Sequence, residues 1–145
     1  MDFNARATPK PPIVTELDAA RICELATRLP DAARSLSALH SLIDMITSEA
    51  DIVPAERIAA DVVTVNSTVS FEDSAAATVH TVTLVYPQDL SIAHRRISVL
   101  SPVGQALLGR KVGDSVRVGM PDGSHRQIDI VELHYQPEAA GNLML

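Results

Sequence analysis

The chain is poor in aromatic residues, with two Phe, two Tyr and no Trp among its 145 residues. A core built from this composition must be aliphatic, because Ala, Val, Leu and Ile supply most of the apolar fraction. The single Cys23 cannot form an internal disulfide, and no Cys/His cluster has zinc-ligand spacing, so we expect a metal-free fold in a reducing compartment. No secretory segment opens the chain, and no apolar run approaches the roughly 18 residues that span a bilayer. These absences predict a soluble cytoplasmic protein.

Residue patterns typical of catalytic sites are also missing. Gly104, Gly109 and Gly113 have neither the lysine spacing of a phosphate-binding loop nor the dinucleotide-binding pattern. No two histidines are spaced at i and i+4, and we expect all five on the surface or in strands: His40, His80, His94, His125 and His134. Cys23 falls within a helical pattern, which favours a small buried apolar residue over a nucleophile. The sequence therefore predicts a protein that is not an enzyme and needs no cofactor or metal.

The formal net charge of −6 argues against binding to duplex DNA, which requires a basic face to neutralise phosphates. Acids dominate the segment from Thr15 to Glu56. Basic residues gather in the second half, at Arg95, Arg96, Arg110, Lys111, Arg117 and Arg126. An acidic arm on a more basic domain would orient the protein on a partner of mixed charge. Two ordinarily solvated faces explain the distribution equally well.

The first half of the chain contains two helical patterns, which follow a flexible lead-in predicted over residues 1–14. Thr15 with Asp18 three positions later resembles a helix-capping box, Pro30 ends the first pattern, and Asp31 can cap the second. The first apolar face consists of Ile22, Leu25, Ala26 and Leu29, and the second of Leu36, Leu39, Ile43 and Ile46. Two short amphipathic helices bury such faces only by packing together. Residues 15–53 are therefore predicted to form an antiparallel helical hairpin.

Beyond a predicted hinge at Pro54, the pattern changes from helical to alternating. Apolar residues at 63, 65, 69 and 71 predict a half-buried strand, which Ser67 interrupts. Further strands are predicted at 78–86, 92–100, 115–120 and 126–135. Pro102 in the first turn and Gly109 as a stop predict a two-turn helix between the third and fourth strands. The fold class is α+β, with a strongly twisted sheet and one short helix over residues 54–136 and a loosely held tail over 137–145.

Three separated motifs carry a resemblance to a known family: TVTLVYP at 81–87, SPVGQALLGRKVGDS at 101–115 and LHYQPEAAG at 133–141. The chain resembles the Gre-type transcription factors (GreA/GreB), most closely the branch called regulator of nucleoside diphosphate kinase (Rnk). The resemblance implies an N-terminal antiparallel coiled coil followed by an FKBP-like domain of the Gre C-terminal type. It also implies RNA polymerase as the partner, reached at the secondary channel.

The start of the short helix is the polymerase-binding segment that the resemblance implies. Gre factors dock on the channel rim through an Asp-Ser-Pro sequence, which matches Leu100, Ser101 and Pro102 here. Ser101 and Pro102 fit the pattern, whereas Leu100 replaces the acid and removes its ion pair. A structural interpretation is compatible with this role: Leu100 ends a strand in the core, and Ser101 caps the helix.

The predicted hairpin tip consists of Arg28, Leu29, Pro30, Asp31, Ala32, Ala33 and Arg34. In cleavage-stimulating Gre factors, two acidic tip residues help hold a magnesium ion and its water, because one carboxylate binds a hard cation weakly. Asp31 is the only acid here, and it also suits a helix N-cap. The resemblance thus implies a polymerase-binding elongation regulator without catalysis of its own. The alternatives are a transcript-cleavage stimulating factor that uses Asp31 and a regulator that acts on nucleoside diphosphate kinase.

Overall fold

The structure is a computed structural model that describes residues 10–28 and 33–142. Two helices begin the fold, α1 at Glu16–Arg28 and α2 at Ala33–Ser48. The first begins where the sequence predicts, because the Thr15 hydroxyl accepts a hydrogen bond from the Asp18 amide at 3.0 Å. Within these described residues, no helix is long and apolar enough to cross a membrane.

The two helices bury one apolar face each, which confirms the predicted hairpin. The buried residues are Ile22 and Leu25 on α1 and Leu39, Leu42 and Ile46 on α2. The sequence pattern included all of these residues except Leu42. It also predicted that Cys23 is buried, and this prediction is wrong. Cys23 is exposed, since one residue after Ile22 the helix has turned by about 100° away from the core.

A two-stranded parallel ribbon closes the base of the hairpin and was not predicted. It consists of β1 at Ile13–Thr15 and β2 at Asp51–Val53. The amide of Ile13 also donates to the carbonyl of Gly109 at 3.1 Å, and Val14 is 1% exposed. The last residues of the expected flexible lead-in therefore belong to the folded body. Residues 1–9 lie outside the described part of the chain.

The body of the protein is a five-stranded sheet in the order β5-β4-β3-β7-β6. Its strands are β3 at Thr68–Asp73, β4 at Thr78–Val85, β5 at Arg96–Ser98, β6 at Ser115–Gly119 and β7 at His125–Tyr135. Three of the pairings are antiparallel, and β5 runs parallel to β4. Helix α3, at Pro102–Leu107, connects β5 to β6. The predicted α+β fold, a helical hairpin followed by a mainly antiparallel sheet with one short helix, is confirmed.

Two strands are shorter than their apolar patterns predict. The first begins at Thr68 because Asn66 adopts a left-handed conformation, φ 74°, and the amide of Ser67 bonds back to Thr64. The third begins at Arg96, since the preceding residues close a turn in which the amide of Arg96 donates to the carbonyl of Ser91 at 2.8 Å. Alternation predicted burial at residues 63 and 65 correctly, but it did not predict that this segment leaves the sheet.

The buried apolar residues of the hairpin and of the sheet form one continuous cluster. Among the described residues, its aromatic members are Phe71 and Tyr86, so the expected aliphatic core is present. The residues that follow β7 contact the body, and within the predicted tail Glu138 Oε1 accepts from the Thr64 hydroxyl at 2.7 Å. Gln136 is 4% exposed and donates to the carbonyls of Ala59 and Val62, both at 2.8 Å.

A buried carboxylate joins the hairpin to the body. Asp18 on α1 is 4% exposed, and its two oxygens accept from the Val65 amide at 3.1 Å and from the Tyr86 hydroxyl at 3.0 Å. Burial raises the pKa of Asp18 to about 6, the two hydrogen bonds oppose this shift, and the charge of Glu138 adds to it. Burial and the charge of Asp18 also raise the pKa of Tyr86. Asp18 thus fixes α1 against two separate segments of the body.

This carboxylate predicts a pH dependence of stability. The pKa of Asp18 is about 6 in the folded protein and 3.8 in the unfolded chain. The tighter proton binding in the folded state therefore stabilises the protein, and this stabilisation is complete below about pH 4. It is lost as the pH rises to about 6, by roughly 3 kcal/mol at about 1.4 kcal/mol per pKa unit. Chemical denaturation of the wild-type protein and of Asp18→Asn between pH 4 and 7 checks this. As the pH rises, the free energy of unfolding should fall more for the wild-type protein than for the variant. Parallel pH profiles of the two proteins would contradict the raised pKa of Asp18.

Gly104 predicts a steric effect at α3. It is buried, and a Cβ atom there would lie 2.0 Å from the carbonyl oxygen of Ser98. Gly104→Ala should therefore lower the free energy of unfolding by about 2–3 kcal/mol, although alanine favours helices. Gly119→Ala is the matched control, because the nearest atom lies 4.0 Å away, and it should change stability by less than about 0.5 kcal/mol. If both substitutions change the free energy of unfolding in urea equally, the close contact of Gly104 with Ser98 does not position α3.

Candidate functional site

The first turn of α3 carries two of the residues that the sequence assigned to polymerase binding. The hydroxyl of Ser101 accepts from the Gly104 amide at 3.0 Å and donates to the carbonyl of Ser98 at 2.7 Å. Pro102 occupies the first helical turn and is exposed. A capped helix start and a fixed proline ring make this turn a rigid surface feature. The predicted role of Ser101 as a helix cap is confirmed.

Leu100, the third assigned residue, lies partly buried against the core. Its amide donates to the hydroxyl of Ser98 at 3.0 Å. This geometry agrees with the interpretation of Leu100 as a residue that packs at the end of a strand. Its side chain supplies apolar contact where the Asp-Ser-Pro pattern supplies a negative charge.

A cleft of about 370 Å³ opens between α3 and one face of the sheet. It is mainly apolar, and Ser101 and Pro102 belong to its lining. The other lining residues are Phe71, Asp73, His80, Val82, Ile97, Val103, Met120, Arg126 and Ile128. The cleft therefore joins the predicted docking turn to side chains of β3, β4, β5 and β7. An apolar side chain of a partner is the group that such a surface accommodates best.

The cleft has one charged pair, which sequence reasoning missed. Arg126 Nη1 lies 3.1 Å from Asp73 Oδ2, and the side chains are 52% and 6% exposed, respectively. The Phe71 and His80 rings pack nearby, with centroids 5.5 Å apart. No sequence signal brings Asp73 and Arg126 together, because their contact depends on the register between β3 and β7. The exposed side of the Arg126 guanidinium can still donate hydrogen bonds to a partner.

The hairpin tip cannot be placed relative to this cleft, since Leu29, Pro30 and Asp31 lie outside the described residues. Arg28 ends α1 and Arg34 lies in the first turn of α2, but their side chains are also outside the description. Among the residues that are described, no three His, Cys, Asp or Glu side chains are grouped as metal ligands would be.

One contact does connect the cleft to the hairpin. Gln105 on α3 donates through Nε2 to the carbonyl of Ala38 on α2 at 3.0 Å, and to that of Leu100 at 3.3 Å. The short helix therefore contacts α2 with its side, while its first turn lines the cleft. This arrangement fixes the direction of the hairpin relative to the first turn of α3.

Comparisons with known proteins agree with this architecture. The model of the family "Transcription elongation factor, GreA/GreB, C-term" matches residues 58–135. The chain is 39% identical over 134 residues to the regulator of nucleoside diphosphate kinase of Escherichia coli strain K12, covering 92% of this chain and 96% of that protein. It is also 39% identical over 84 residues to transcription elongation factor GreA of Rhodospirillum rubrum, covering 57% of this chain and 52% of that protein.

A solved structure supports the same assignment over most of the chain. The prokaryotic transcription elongation factor GreA/GreB from Nitrosomonas europaea is 36% identical, with a TM-score of 0.66, covering 88% of this chain and 100% of that one. The resemblance identified from the three sequence motifs is confirmed. With the hairpin, the sheet and the capped helix α3 in the expected order, this chain belongs to the GreA/GreB family of transcription elongation factors.

Proposed function

We propose that this chain binds RNA polymerase at its secondary channel and regulates transcription without catalysis of its own. Membership of the GreA/GreB family supports the partner. The observation that carries the proposal is the position of Ser101 and Pro102 at the edge of an apolar cleft. Pro102 is exposed there and Ser101 is half-buried. The residues that the family motif assigns to docking thus lie on a surface suited to docking.

The contact with polymerase is mainly apolar in this proposal. Leu100 provides no charge, so affinity depends on burial of Pro102 and of the cleft lining against the partner. Burying apolar surface contributes about 25 cal/mol per Å², and a rigid helix start loses little entropy on binding. Arg126 adds a polar contact at the edge, since half of its side chain is exposed.

The hairpin is the part that enters the channel. Gln105 and Asp18 hold it to α3 and to the body, so docking of the cleft also sets the hairpin's direction. The tip has one acid, Asp31, and an arginine three positions later. One carboxylate holds a hard cation weakly, so this tip fits occupation of the channel better than cleavage of the transcript.

Regulation of nucleoside diphosphate kinase is a second candidate, favoured by the 39% identity to the Escherichia coli regulator of that name. We rank this candidate below polymerase binding. An effect on the kinase through transcription requires no contact surface beyond the one that binds polymerase. Direct binding between the two purified proteins would reverse this order.

A competition assay tests polymerase docking. Labelled protein should bind core RNA polymerase, and a cleavage-active GreA factor should displace it. Pro102→Arg should weaken binding by about tenfold or more, because it puts a long charged side chain at the apolar edge. Ala60→Arg is the matched control, since Ala60 is exposed and does not line the cleft, and it should bind like the wild-type protein. Loss of affinity in both variants, or in neither, would contradict docking through this turn.

A stalled elongation complex tests the absence of catalysis. Added at a concentration that saturates the polymerase, the protein should produce no shortened RNA, while a GreA factor in a parallel reaction should produce it. Shortened transcripts that disappear with Asp31→Asn would instead establish the protein as a cleavage factor.

A further inference from the structure

The face of the sheet opposite the apolar cleft carries paired hydroxyl groups. Thr81 and Thr83 flank Val82 on β4, so their side chains project from the other face. Their cross-strand neighbours on β3 are Ser70 and Thr68. The hydroxyls of Thr68 and Thr83 lie 2.9 Å apart, and those of Ser70 and Thr81 lie 2.7 Å apart.

A cleft of about 380 Å³ lies over this hydroxyl row, and residues of the turn before β5 complete its lining. It is lined by Thr68, Thr81, Val82, Thr83, His94 and Arg95. Its size is within the range of small-molecule sites, roughly 300–1,000 Å³.

The turn places Arg95 in the lining of the same cleft as the hydroxyls. Arg95 has a left-handed backbone, φ 54°, which is uncommon for a residue other than glycine. Its carbonyl accepts from the Thr83 amide at 2.9 Å, so the backbone of Arg95 is anchored to the strand that carries the hydroxyls. The ring of His94 is held as well, with Nδ1 2.8 Å from the hydroxyl of Ser91. In the described part of the chain, no carboxylate forms an ion pair with Arg95.

The hydrogen-bond count leaves donors for a ligand. One hydrogen bond between Thr68 and Thr83 uses one of their two hydroxyl hydrogens, and the second stays available. The Arg95 guanidinium adds several N–H donors in a planar fork. His94 Nε2 is not used by the bond to Ser91. A positive charge combined with several donors matches an anion that offers several acceptor oxygens.

We propose that the cleft formed by Thr68, Thr83, His94 and Arg95 binds the phosphoryl group of a small phosphorylated ligand. A phosphoryl group carries up to two negative charges and three acceptor oxygens, which suit the guanidinium, the imidazole and the spare hydroxyl. The net charge of −6 means that the protein as a whole does not concentrate anions, so saturable binding depends on these residues. This site is separate from the polymerase-docking cleft and does not depend on it.

Titration of the full ¹⁵N-labelled chain with inorganic phosphate, at constant ionic strength, tests the site. The amides of Thr83 and Arg95 should shift and saturate, while sodium chloride should not reproduce the shifts. Arg95→Asn should weaken binding by about tenfold, because a charged hydrogen-bond donor is lost while asparagine tolerates the left-handed backbone. Arg96→Asn is the matched control, with the same change in charge one residue outside the cleft lining, and it should change affinity less than twofold. Thr83→Val should also weaken binding, since it removes a hydroxyl without changing the shape of the side chain.

A parallel titration with adenosine monophosphate separates the two sources of the group. Equal affinities would assign the site to the phosphoryl group alone, and tenfold tighter binding of the nucleotide would assign it to a phosphate ester. Shifts that do not saturate with either ligand would overturn the proposal, as would equal losses in Arg95→Asn and Arg96→Asn.

Discussion

The buried carboxylate of Asp18 is the contact on which the arrangement of hairpin and body depends. A carboxylate removed from water is unfavourable, and hydrogen bonds from an amide and a phenol offset part of that cost for Asp18. Both donors belong to the body, whereas Asp18 lies in the first turn of α1. Separation of the hairpin from the body would therefore break both hydrogen bonds. This explains why a short helical arm keeps one direction, which an apolar contact alone would specify less strictly.

Helix α3 is short, but its residues contact several separate parts of the molecule. Ser101 caps it and Pro102 borders the apolar cleft, while Gln105 reaches α2. Beyond its end, Gly109 donates to the carbonyl of Val63 at 2.8 Å and accepts from β1. The apolar cleft, the hairpin and the segment before the sheet thus all contact α3 or the residues that directly follow it. A partner that binds the first turn of α3 binds a surface whose geometry is already set.

The sheet separates two different chemical surfaces. Successive residues of a strand point to opposite faces, so Val82 lines the apolar cleft while Thr81 and Thr83 project from the hydroxyl-rich face. A protein partner on one face and a small anion on the other would not compete for space. The charged residues near each surface also differ, with the Asp73–Arg126 pair on the first and Arg95 on the second.

The sequence by itself determined many of the features that depend on near neighbours in the chain. The cap at Thr15, the helix start at Ser101 and Pro102 and most of the buried hairpin faces follow from local spacing, because capping and amphipathicity need only four or five consecutive residues. The family motifs also identified the fold class. Predictions from local spacing failed where distant segments form hydrogen bonds with the same backbone groups. Residues 63–67 alternate like a strand, yet Val63 bonds to α3's end and Asn66 turns the chain.

Only the tertiary structure decided the contacts between segments far apart in the sequence. The parallel β1–β2 ribbon, the pair of Asp73 with Arg126 and the burial of Asp18 each depend on strand register or on docking of the hairpin. In the sequence, Asp18 has the appearance of a capping residue, since nothing nearby shows that Val65 and Tyr86 will donate to it. Such choices follow from the balance of burial and hydrogen bonding over the whole core, which no short window of sequence contains.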